Sequence, residues 1–415
     1  MARLQWSDFG SIWKTIREVD VGAIRAEAEQ QSTVAIIGQN AALRHVDRLL
    51  REAPNRYPLS PEQPYFLPLA EARKYLEYVK SADLLILALD AHGTMTEAEV
   101  EGLRTLSEAP RPHQLVFLLG PGAAALNAGS WQGRAYGGGG AEGAGAADLT
   151  TWGPYLDQRL ALAVDPDAPG AGMKLCGAVL DALPHELRLA AARRLPGLRP
   201  LYASRLTTEV SVSNAAVALA SGVPSIVPVL GIPLAAADTI ILTKNQVMMV
   251  YRLALACGAE PDFQKRMLEI TPVIGGAVVW RQIAGALVGL VPGYGIVPKV
   301  AVAFGGTYVV GLAATRWYET GLLTDEERKR ITSEAAGRAK EAATVMVGQA
   351  KAAGEKARSA GDRAGEQAKS AAQSVADRAR TTRESMLAQA RQAGDRMLQA
   401  GRKVTRRDKE DAPPE

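Results

Sequence analysis

The sequence predicts an α/β domain built on a doubly wound parallel sheet, followed by an all-α apolar helical domain and a long C-terminal helix. Three observations carry this. Between Ser32 and Leu119 short runs of Val, Ile and Leu alternate with helical patterns. Residues 210–315 carry only ten formal charges, and the first 28 of them, Val210 to Ala237, carry none. After Leu323 the chain becomes rich in Ala, Lys, Arg and Glu. At 415 residues it is long enough for several domains with full cores.

The expected order begins with an N-terminal amphipathic helix over residues 1–30, where Leu4, Phe9, Ile12, Trp13, Ile16 and Val19 recur at helical spacing. Met1–Asp20 lacks the order of a cleaved secretory signal, so none is expected. The α/β domain is expected over 31–183. Its strands are Thr33–Ile37, Tyr65–Leu67, Leu84–Leu89 and Gln114–Leu119, and its helices are Ala41–Glu52, Leu69–Lys80 and Thr96–Glu108. Near-continuous apolar strands between helices indicate a parallel sheet covered on both faces. A Gly-rich insertion over 120–147, with Gly137–Gly140 at its centre, cannot build a core and reads as a surface segment. Leu156–Val164 then reads as a last strand and Met173–Leu183 as a last helix.

The apolar helical domain is expected over 184–323. Pro224, Pro228 and Pro233 break the charge-free run, because proline removes a helical hydrogen bond and clashes with the preceding turn. That leaves a helix from Thr208 to Val223 and another from Leu234 to Cys257, ended by Gly258. Val273–Val291 and Ile296–Trp317 each match the roughly 20 residues that cross a bilayer, with Pro292-Gly293-Tyr294-Gly295 as the turn between them. Gly285 and Gly289 form the small-xxx-small spacing of close helix pairs in lipid. Arg281, in mid-arm, opposes this, since a charge there costs at least about 2.5 kcal/mol. The paired length and the glycines favour a transmembrane helical hairpin.

From 324 to 404 a long helical tail is expected, and 405–415 reads as a disordered end. Thr324 and Glu327 form a capping-box signature. Positions 335, 346, 357, 368, 379, 390 and 401 are all Ala, Met or Gly, an eleven-residue period that keeps one stripe on a nearly straight helix. At 1.5 Å per residue such a rod is about 100 Å long. The tail after Leu323 carries 20 Lys and Arg against 15 Asp and Glu. Its bases are interleaved with acids and lack aromatics, which argues against nucleic acid as a partner.

Composition excludes several chemistries. Cys176 and Cys257 stand alone, against a disulfide framework or a Cys-based metal site and in keeping with a reducing cytoplasm. His45, His92, His113 and His185 lack metal-ligand spacing. Nucleophile-elbow and zinc-protease motifs are absent. The first strand ends at Gly38, where a P-loop would continue G-x-x-x-x-G-K-[ST]. In this chain the second glycine is Leu43, the lysine is Arg44 and the hydroxyl is His45.

Gly38, the segment Ser81–Asp90 and the α/β order resemble the Ras-like GTPase superfamily, in the branch where a G domain precedes an apolar helical domain. The resemblance implies a nucleotide-binding fold. Yet no Asp-x-x-Gly follows Tyr65–Leu69, and Gly120-Pro121-Gly122 stands where Asn-Lys-x-Asp would read guanine. The implied domain is a degenerate G domain, with Gly38 and Arg44 as its only candidate cofactor-binding residues. The second half resembles the YcjF-like bacterial membrane-associated domain of unknown function. Asn214–Leu219, Pro224, Pro228, Leu242–Gln246 and the hairpin to Gly311 carry that likeness. Asp238, Lys244, Asn245 and Arg281 are polar residues in apolar surroundings, either functional in lipid or paired in a soluble core.

The expected function is that of a non-catalytic protein of the bacterial inner membrane, most of it cytoplasmic, that places or assembles partners. No catalytic residue, cofactor or metal is expected. The expected partners are the lipid bilayer, a protein held through the C-terminal helix, and a second copy of the chain. The rivals are a nucleotide-binding hydrolase with an unorthodox P-loop and a soluble helical scaffold or stress-protective protein.

Overall fold

The computed structural model describes residues 20–54, 56–57, 65–109, 113–121, 123, 161–222, 234–274 and 296–359, with the single positions 380, 383 and 386. The chain forms two compact units, one built on residues 26–202 and the other on the residues from Ala203 on, which also takes in residues 20–25 at the start of the first helix.

The first unit is the α/β domain. Strands β1 (Val34–Gly38), β2 (Phe66–Pro68), β3 (Leu84–Asp90), β4 (His113–Leu119) and β5 (Ala161–Val164) form one all-parallel sheet in the order 2-1-3-4-5. Ile36 pairs with both Phe66 and Ile86, and Leu118 with Leu89 and Ala163, which fixes the register across the sheet. All of β1 and nearly all of β3 is buried. Their apolar runs follow from helices on both faces.

The helices of this unit are α1 (Gly22–Glu29), α2 (Asn40–Arg51), α3 (Leu76–Lys80), α4 (Glu97–Glu108), α5 (Ala171–Ala182) and α6 (Arg188–Arg194). α2 buries Ala42, Leu43, Val46, Leu49 and Leu50 along one stripe. α4 opens on a full capping box between Thr96 and Glu99. The Asp83 carboxylate accepts from the Thr33 amide at 2.8 Å and pins the start of β3 beside β1. The stretch expected as one helix from Leu69 to Lys80 is instead a 3-10 turn over Leu69–Tyr75 running into α3.

The unit extends further along the chain than the sequence pattern suggests. Leu187, Leu189, Leu195 and Leu198 are buried, so the Arg- and Pro-rich segment after 184 completes this domain. Arg199, 2% exposed, donates from Nε to Ala192 O and from Nη2 to Arg193 O. A guanidinium here satisfies carbonyls that the end of α6 leaves open.

The second unit is helical: α7 (Arg199–Gly222, which begins in the first unit), α8 (Leu234–Ala256), α9 (Phe263–Ile274), α10 (Ile296–Thr320) and α11 (Asp325–Ser359). α8 ends as expected, with Gly258 at φ 92° and its amide donating to Leu255 O. The Thr324–Glu327 capping box at the head of α11 is also formed. Val300, Phe304 and Val309 of α10 pack with Val212 and Ala215 of α7 and with Ala335, Ala339 and Ala342 of α11. Gly311 allows a close approach of α10 to α7: a Cβ there would lie 2.4 Å from Thr207 Cγ2.

Two expectations are corrected. Among the described residues no helix is long and apolar enough to cross a membrane. α10, expected as the second arm of a transmembrane hairpin, turns its apolar residues toward neighbouring helices, and burial in a protein core explains them without lipid. Most of the first arm, residues 275–291 with Arg281, lies outside the described residues. The rod-like tail is the second correction. Met386 shares a small gap with Tyr308, Arg338 and Glu341. A straight helix would carry Met386 roughly 70 Å past Arg338, so Met386 does not continue α11 as one straight rod. Residues 1–19, most of the insertion 120–147 and the expected end 405–415 also lie outside the described residues.

Candidate functional site

In open α/β sheets, ligands bind beyond the carboxyl ends of the strands, where the strand order switches. In this sheet that place lies between β1 and β3, and Gly38 and Arg44 are the residues the sequence nominates there. Gly38 ends β1, and Arg44 lies on α2. Gly38 pairs with Ala88, and a Cβ at Gly38 would stand 2.1 Å from Ala88 O, so the glycine is required by the sheet. α2 begins at Asn40, leaving Gln39 as the whole turn. A phosphate cradle needs several loop residues at this point. Arg44 is exposed, on the side of α2 away from its buried stripe.

The described side chains at this crevice bond to neighbouring backbone. Gln39, 7% exposed, accepts from the Asp90 amide at 2.8 Å through Oε1 and donates from Nε2 to Thr94 O at 3.3 Å. Asp90 Oδ1 accepts from the His92 amide, and His92 Nε2 lies 2.7 Å from Pro121 O. Thus the polar groups that rim the switch point are engaged with one another. Among the described residues no group of three or more His, Cys, Asp or Glu could hold a metal ion.

The helical unit holds the richer constellation. Asn214 of α7, fully buried, donates from Nδ2 to Thr307 Oγ1 of α10 at 2.8 Å. Its Oδ1 accepts from Asn245 Nδ2 of α8 at 2.8 Å. Gln246 Nε2 donates to Thr307 Oγ1 at 3.0 Å, and that hydroxyl donates to Ala303 O at 2.8 Å. Three helices are therefore tied by one satisfied polar network inside an apolar core. Of the polar residues the sequence singles out, only Asn245 belongs to it. Lys244 is exposed, and the side chains of Asp238 and Arg281 lie outside the described residues.

No protein-family model, curated protein or solved structure matches this chain. The site is therefore read from its own residues.

Beside the network lies an open cavity of about 360 Å³, bordered by Glu209, Ser213, Asn245 and Arg252 and by Arg380 and Arg383. Arg383 forms an ion pair with Glu209, 174 residues away in sequence. One face along, Met386 packs against the cluster that holds Phe304 and Tyr308, whose rings stack at 5.7 Å. Tyr308 OH donates to Glu334 Oε1 at 3.2 Å. Burial, with the Glu334 carboxylate beside it, pushes the Tyr308 phenol up, and burial likewise raises Glu334. Arg383 and Met386 thus lie against the helical unit, one on Glu209 and the other beside the Phe304–Tyr308 pair. Sequence reasoning missed Glu209, Thr307, Arg383 and Met386, none of which carries a local motif.

Proposed function

We propose that this chain is a non-catalytic assembly protein whose helical unit is a receptor for a helical segment, occupied here by its own tail. The α/β unit, in this reading, is a degenerate relative of G domains that serves as a structural base. The observation that carries the reading is the return of the tail, with Arg383 on Glu209 and Met386 beside Tyr308. A groove that takes a segment in cis accepts the same chemistry in trans, from a second copy or from a partner with a like segment. The filled turn at Gln39 supports a role without nucleotide. Contact with the bilayer enters the proposal only as attraction between the tail's excess of five basic residues (20 against 15) and anionic lipid at the cytoplasmic face of a bacterial inner membrane.

The test uses two full-length variants. Glu209→Arg and Arg383→Glu each put like charges across the clasp in cis, yet the two chains are complementary to one another in trans. Light scattering should find that each variant alone stays at the wild-type mass while their equimolar mixture forms a swapped dimer. A mixture that does not associate, with tails undocked by hydrogen exchange, refutes the receptor reading.

A further inference from the structure

We draw no further inference here: the strongest candidate, the aromatic surface patch at the edge of the α/β unit where exposed Tyr65, just ahead of β2, meets Tyr78 of α3 edge-on at 6.2 Å, carries nothing because nothing in the structure shows what covers it.

Discussion

Replacing Asn214 with Ala should destabilise the helical unit by about 2–4 kcal/mol, and the size follows from what each partner loses. Asn214 is fully buried and holds Thr307 Oγ1 and Asn245 Nδ2, each at 2.8 Å. An intramolecular hydrogen bond contributes about 1 kcal/mol net, whereas a buried donor left without an acceptor costs about 1–3 kcal/mol. Asn245 loses its acceptor outright and suffers the larger penalty. Thr307 suffers less, because Gln246 still donates to it and it still donates to Ala303 O. Urea denaturation of the full chain measures the loss, and faster hydrogen exchange confined to α7, α8 and α10 places it. Combining Asn214→Ala with Thr307→Val should cost less than the sum of the two by at least about 0.5 kcal/mol, since the pair shares one bond. A cost below about 0.5 kcal/mol, the level of an ordinary surface change, with exchange in those helices unaltered, would refute the network as a structural tie.

Further substitutions test other contacts. Gly38→Ala forces a Cβ to 2.1 Å from Ala88 O and should lower stability by about 1–3 kcal/mol or more, read as a lower melting temperature with or without added nucleotide. Gly311→Ala should cost about 1–3 kcal/mol through its clash with Thr207, and Thr207→Ala in the same chain should recover much of it. Burial raises the Glu334 carboxyl above its usual 4.5, so its charged form opposes folding above that range and the opposition fades as pH falls through it. Glu334→Gln, whose amide oxygen can still accept from Tyr308, should therefore melt higher than wild type at pH 8, and the difference should vanish below about pH 4.5. Burial pushes the Cys176 thiol up to about 12, so at pH 8 it should react with a disulfide reagent only at the rate of unfolding.

Much of the α/β unit is legible in the sequence because its signals are local. The apolar runs at Val34–Gly38 and Leu84–Asp90 need only their own residues to say that both faces are covered. The ends of α4, α8 and α11 are written by Thr96, Gly258 and Thr324 in the same way. The helical unit is harder, because hydropathy measures avoidance of water and not the alternative to it. The apolar length of α10 reads alike whether lipid or Val212, Ala215 and Ala335 surround it. Thr307 shows the difference only once folded, because its hydroxyl finds partners on other helices 61 and 93 residues away. The eleven-residue stripe did mark buried positions at Ala335 and Met346. Nothing periodic could announce that Arg383 returns to Glu209, since that pairing depends on where the chain turns. Gly38 reads two ways for a related reason: a strand-ending glycine serves close sheet packing, as here against Ala88, as readily as phosphate binding.

The returning tail also imposes an order in time. Met386 is made 78 residues after Tyr308, the ring beside which it settles. At roughly 5–20 residues per second of synthesis, the aromatic groove stands bare for about 4–16 s on each nascent chain. During that interval a finished neighbour on the same messenger can lend its tail before the chain's own arrives. On the receptor reading proposed above, an exchanged pair should form more readily where translation is crowded than where chains are made singly.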